Sequence, residues 1–130
     1  MQDRPDAPVL LEAIADFLMK EILPAVKESD ALAYKTLVSW NMLGVVSREF
    51  REGDRLAEKE IARLLGYFKE SGTGPDTYPE KLAFIRELNA RLAKQIRDGN
   101  VSNENKVIWD LAREALKEKL SVANPRFGTD

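Results

Sequence analysis

The sequence predicts an all-α protein, an antiparallel bundle of about five helices, and three observations carry that prediction. Apolar residues recur at threes and fours along most of the chain, which is the period of a helix surface. No stretch alternates apolar and polar residues as a half-buried strand does. The run from Ala31 to Glu52, ALAYKTLVSWNMLGVVSREFRE, is apolar on almost every side, which sets it at the centre of the bundle with the other helices around it.

In chain order, the opening MQDRPDAP carries Pro5 and Pro8, so residues 1–7 read as an extended arm. Pro8 suits the first turn of a helix, with Asp6 or Ala7 in the cap region. From Val9 the apolar positions Leu10, Leu11, Ile14, Phe17, Leu18 and Ile22 define the first helix, and Pro24 predicts its end or bend near Ile22. Asp30 is placed to cap the second, central helix. Inside that helix Asn41 falls between Leu37, Val38 and Val45, where its amide would be buried and in need of partners, and Arg48 follows on the same stripe. Gly44 reads as a point where a neighbouring helix comes close.

Gly53 is expected to stop the central helix and Asp54 to cap a third, running to about Lys69 and folded back on the second. Ser71 to Pro79, SGTGPDTYP, is the one clear long loop. Helix four then starts near Pro79, carries Leu82, Ile85, Leu88 or Asn89, Leu92 and Ile96 along one stripe, and ends at Asp98-Gly99-Asn100. Ser102 is the expected cap of helix five, which turns Val107, Ile108, Leu111, Ala115 and Leu120 inward. Residues 122–130 form a second extended arm around Asn124-Pro125-Arg126-Phe127, and residues 1–130 read as a single helical domain.

Composition removes much of the enzyme catalogue. With no cysteine and no histidine, thiol chemistry, Cys/His zinc sites and every histidine-based mechanism are excluded. A net charge of −2 supplies no field for a phosphate backbone or an anionic lipid surface, so neither nucleic acid nor membrane is expected as a partner. Glu12, Asp16, Lys20 and Glu21 interrupt the apolar stretch Val9 to Leu23, so it is no leader segment, and a cytoplasmic protein is expected. The glycines follow no strand and precede no Lys-Ser/Thr pair, so the usual nucleotide-binding loops are missing and no cofactor is expected. The carboxylate pairs Glu58/Glu60 and Glu114/Glu118 sit on faces that the apolar pattern marks as solvated, which leaves no catalytic residue and no metal site to nominate.

Two clusters remain as candidates for binding. Asn41, Arg48 and Glu49 could floor a small-molecule pocket in which the arginine grips a carboxylate or phosphate; a structural role for Asn41, bridging backbone groups of a neighbouring helix, is the stronger reading. The proline-stiffened arms carry Arg4 and Asp6 at one end and Asn124 and Arg126 at the other, and serve as contacts or as plain ordered termini. Trp40 and Trp109 read as core packing or a dimer contact rather than as a base-stacking platform.

Three stretches together, RPDAPVLLEAIADFLMKEILP, LVSWNMLGVVSREF and LSVANPRF, resemble an uncharacterised family of small all-helical bacterial proteins. Its members are encoded beside, and sometimes fused to, aminoglycoside-phosphotransferase-like kinases, and beside acyl-CoA dehydrogenases. The resemblance spans nearly the whole chain and draws attention to Arg4, Pro5, Asp6, Asn41, Arg48, Glu49, Asn124, Pro125 and Arg126. Trp40 and Gly44 depart from the smaller or alanine-like residues expected there. What the resemblance implies is a non-catalytic accessory module, associated with acyl-CoA metabolism and with a kinase-like or acyl-CoA dehydrogenase partner. The alternative is a binder or enzyme for an acyl or phosphate-bearing ligand at Asn41, Arg48 and Glu49, and a homodimer that covers surplus apolar residues of helices four and five is the third expectation.

Overall fold

The computed structural model describes residues 4–99 and 105–127, and among them the backbone forms four helical rods and no strand. The all-α class is as expected; the count is lower because two of the expected helices are one. The first rod begins as α1, Ala7–Phe17, capped by Asp6, whose carboxylate accepts the Val9 N–H at 3.0 Å. Pro8 occupies its first turn, where a missing N–H costs nothing. Near Ile22, where an end or a bend is expected, the rod widens into a π turn, Leu18–Ile22, in which the Leu23 N–H reaches back to the Leu18 carbonyl, and it continues only through Leu23–Ala25. Proline at 24 has no N–H and crowds the carbonyl four residues back, and the wider turn relieves that crowding without ending the rod.

The second rod, α2, is Asp30–Phe68, a single 39-residue helix that passes straight through Gly53 and Asp54. The stop expected at Gly53 is therefore overturned. A lone glycine costs about 1 kcal/mol in a helix interior, and the strong formers from Arg55 to Glu60 that follow it carry the helix on. Asp54 caps nothing; its carboxylate accepts a hydrogen bond from Lys81. The remaining rods are α3, Tyr78–Arg97, with Pro79 in its first turn, and α4, Lys106–Ala123, capped by Asn105, whose side chain accepts the Ile108 N–H. The cap expected at Ser102 and the stop residue Asn100 lie outside the described residues.

The chain divides into two compact units, Met1–Glu52 and Gly53–Asp130, here called the N-unit and the C-unit. In the N-unit α1 packs antiparallel to the part of α2 before Gly53: Glu12 meets Ser47 and Arg51, while Ala15 and Asp16, further along α1, lie beside Trp40, Asn41 and Gly44. Ala15, Thr36 and Ser47 are the buried residues of this pairing, and the Thr36 hydroxyl satisfies itself on the Leu32 carbonyl. The central position expected for residues 31–52, covered on all sides, is not found. Tyr34, Leu37, Val38, Met42, Val46 and Phe50 are all exposed.

The C-unit holds the main core, built from Ala57, Ile61, Leu64 and Leu65 of α2, Ile85, Leu88 and Leu92 of α3, and Ile108 of α4. Side-chain pairs give the helix directions. Lys81 meets Asp54 and Glu58, Asn89 meets Glu60, and Gln95 meets Tyr67, so numbers rise together along α2 and α3 and these two helices run parallel. Glu118 meets Arg63 and Lys119 meets Glu60, with Leu111 further back beside Leu64 and Leu92, so α4 runs antiparallel to both. The strictly antiparallel arrangement expected from sequence is corrected at α2 and α3. Its cause is the loop after Phe68, which must retrace roughly 20 Å of helix before α3 starts, a distance that residues 69–77 span when extended.

Candidate functional site

Two clefts and one exposed face deserve comparison. The first cleft lies in the N-unit, has a volume of about 260 Å³, and is lined by Glu12, Asp16, Trp40, Asn41, Gly44, Ser47, Arg48 and Arg51. Antiparallel packing of α1 on α2 creates it, because Gly44 leaves a gap in the α2 wall opposite Ala15. A Cβ at Gly44 would lie 3.2 Å from the Arg48 guanidinium, so the glycine makes room for that side chain rather than for a neighbouring helix as expected. Asn41 is exposed on this cleft, which corrects its expected burial. Thr36 and Ser47 mark the side of α2 that faces α1, and Asn41 stands about 120–140° round the helix from them. The charges inside are balanced: Glu12 accepts from Ser47 at 3.2 Å and from Arg51 at 2.8 Å.

The second cleft, about 450 Å³, lies in the C-unit between α2 and the returning loop. Ile61, Ala62 and Leu65 floor it, Gly72 to Asp76 form its roof, and Glu58 and Lys81 stand at one end. Gly74 is packed against the floor so closely that an added Cβ would come within 2.8 Å of the Ile61 side chain. Lys81 is 5% exposed, and its ammonium donates to Asp54 and Glu58 at 2.7 Å each. The hydrogen bond to Asp54, then that to Glu58, raises its pKa above the ordinary lysine value. An amine held charged in this way cannot act as base or Schiff-base nucleophile at neutral pH, and its chemistry is that of a clamp joining α3 to α2.

Beyond the clefts, the N-unit shows a surface of a different kind. On α2, Tyr34, Val38, Met42, Val46 and Phe50 follow one another at intervals of four and all are exposed, Met42 at 61% and Phe50 at 66%. On α1, Leu10, Ile14 and Phe17 form a further exposed stripe. Exposed apolar residues scattered singly are ordinary, whereas a continuous row of five is the mark of a contact surface. In the C-unit Ile96, Val107, Trp109 and Leu116 are exposed as well, which overturns the expected inward position of Val107.

Of the residues nominated from sequence, Asn41 and Arg48 share the N-unit cleft. Glu49 is half-buried and does not line it. Asp6 caps α1, and Arg4 lies exposed before it. Asn124 ends α4, donating its backbone N–H to the Leu120 carbonyl at 2.8 Å and accepting from Phe127, with Arg126 exposed in the turn between. The two arms belong to different units. Sequence reasoning missed Lys81 and Glu60. Glu60 was expected to be solvated, yet it is 7% exposed and held by Asn89 and Lys119, and Glu118 is gripped by both ends of the Arg63 guanidinium. That hydrogen bond raises the Arg63 pKa further and fixes the pair as an ion pair. Among the described residues no group of three potential metal ligands forms, and no helix is long and apolar enough to cross a membrane.

Comparison with known proteins adds a family and no more. No match to the chain was found among curated proteins or among solved structures. Residues 24–127 match one family model, so the chain belongs to the family described as Domain of unknown function (DUF6285).

Proposed function

Starting from that membership, we propose that the protein is a non-catalytic interaction module whose working surface is the exposed apolar face of the N-unit. One observation supports this most directly: Tyr34, Val38, Met42, Val46 and Phe50 form an unbroken exposed row on a helix that has the residue pattern of a buried one. Burying a side chain of this size yields about 1.5–3 kcal/mol, so a row of five offers enough driving force for a specific contact. The absence of histidine and cysteine, and the use of Lys81, Glu60, Arg63 and Glu118 in ion pairs, favour a structural role over chemistry. The sequence resemblance supplies the expected class of partner, a kinase-like or acyl-CoA dehydrogenase protein. Co-purification of such a protein with the wild-type chain, and its loss from the Val38→Asp/Val46→Asp double variant with helicity intact, is the expected outcome. Equal capture by both chains would contradict the reading.

The N-unit cleft supports a second reading, a binder for an acyl or phosphate-bearing ligand, because Asn41 opens onto it beside Arg48 and Arg51. It ranks below the first: Glu12 and Asp16 offset the two arginines, and the volume falls just short of the roughly 300–1,000 Å³ of ligand pockets. Thermal stabilisation by an acyl-CoA that Arg48→Gln abolishes is its expected signature, and no stabilisation of the wild-type chain removes it.

A further inference from the structure

We infer that the cleft of the C-unit is a binding site for a small organic cation, a primary ammonium carried on an apolar chain. Its volume of about 450 Å³ lies within the roughly 300–1,000 Å³ of ligand pockets, whereas the N-unit cleft falls below that range. One side of α2 makes its floor. Glu58, Ile61, Ala62 and Leu65 line the cleft and fall within about 100° of the helix circumference, and Asp54 stands one turn before them on the same side. Along this stripe the surface changes from acidic at Asp54 and Glu58 to aliphatic at Ile61, Ala62 and Leu65, and Glu58 and Leu65 are about 10 Å apart along the axis. A ligand lying along it meets carboxylate at one end and apolar surface at the other.

The roof has the same polarity. It runs back along α2, so that Gly74 rests on Ile61 and Asp76 follows two residues nearer to Lys81, which meets Glu58. At this end three carboxylates, Asp54, Glu58 and Asp76, stand against the single ammonium of Lys81 and leave two negative charges. The clamp does not exhaust its acceptors: the side chains of Asp54 and Glu58 are 58% and 60% exposed, and each carboxylate has lone pairs for a further donor. An anion would be repelled here, and a neutral chain would gain the floor alone, so charge selects the cation. An acidic surface without a floor would take any counterion; the aliphatic stripe under the loop selects one with an apolar body. The site belongs to the C-unit and is independent of the N-unit face.

Titration of the isotope-labelled full chain with n-hexylammonium, followed by NMR, tests it. Saturable shifts are expected at Ile61, Ala62 and Leu65, with n-hexanoate weaker by at least about tenfold, the worth of one charge-assisted hydrogen bond. Ala62→Phe fills the cleft from an exposed position and should abolish the shifts at Ile61 and Leu65. Asp76→Asn, also exposed, should weaken n-hexylammonium several-fold and leave the neutral n-hexanol unchanged. Neither variant touches the Lys81 clamp, and circular dichroism checks that the helices persist in each. No saturable shift at the floor, n-hexanoate binding as tightly as the ammonium, or either variant binding the ammonium as the wild type does overturns the inference.

Discussion

At Lys81 a lysine buried beside an apolar core keeps its charge because two carboxylates reach it from one face of α2. Asp54 and Glu58 are four residues apart, a spacing at which like charges repel along a helix, and the ammonium between them cancels that repulsion. Lys81→Met is therefore expected to destabilise the C-unit at neutral pH. The pH dependence has a definite sign. A raised folded-state pKa gives stability that is present below the ordinary lysine value of 10.5 and is lost as pH climbs through the higher folded value. Thermal melts of wild type across the alkaline range should show that loss, and Lys81→Met should lack it. Two glycines make a sharper contrast. Gly74→Ala drives a Cβ into Ile61 and is expected to cost about 1–3 kcal/mol, whereas Gly44→Ala meets only the movable end of Arg48 and gains helix propensity of about 1 kcal/mol. Urea melts of the two variants should shift in opposite directions.

At the scale of the helices, the C-unit depends on an interior held by few large residues. Leu88 is fully buried among Leu64, Leu65 and their neighbours, so Leu88→Ala should cost about 2–5 kcal/mol by urea melt. A loss under 1 kcal/mol would mean that α3 does not pack as described. Much of this packing is legible in the periodicity: Ile85, Leu92 and Ile108 are all placed inward by spacing alone. The parallel run of α2 and α3 is not. Nothing in the composition of Ser71 to Pro79 tells a turn that reverses the chain from a segment that runs back along the preceding helix, because both need glycine and proline. Gly53 misled for a related reason. It carries the chemistry of a helix end, but a helix ends there only if the residues beyond it gain by leaving, and Arg55 to Glu60 gain by staying. Pro24 was a true obstacle to the helix, and a π turn rather than a break absorbs it.

For the whole molecule, the candidate site was legible only in outline. The apolar stretch 31–52 and the odd position of Asn41 were visible from the start, and Asn41 and Arg48 do share a cleft. The burial assigned to that stretch was not correct, since period and composition report that a surface wants cover without saying which chain supplies it. Charge behaviour follows from composition more simply. With no histidine, the chain lacks the side chain whose ordinary pKa lies between pH 6 and 8, so the unfolding midpoint should be flat there and should fall on the acid side as carboxylates such as Glu70, whose pKa Arg91 lowers, become protonated. A step in midpoint near pH 7 would contradict this. The account as a whole stands on the α2 face being a contact surface, and a chain without cysteine allows a direct measurement. Met42→Cys places a unique thiol in the middle of that face's exposed row, where an attached fluorophore reports its surroundings. Adding the co-purifying partner is expected to bury the label and shift its emission to the blue, while a label at Lys59→Cys, exposed on the C-unit part of α2, stays unchanged. Equal shifts at the two positions, or none at residue 42, would contradict the account.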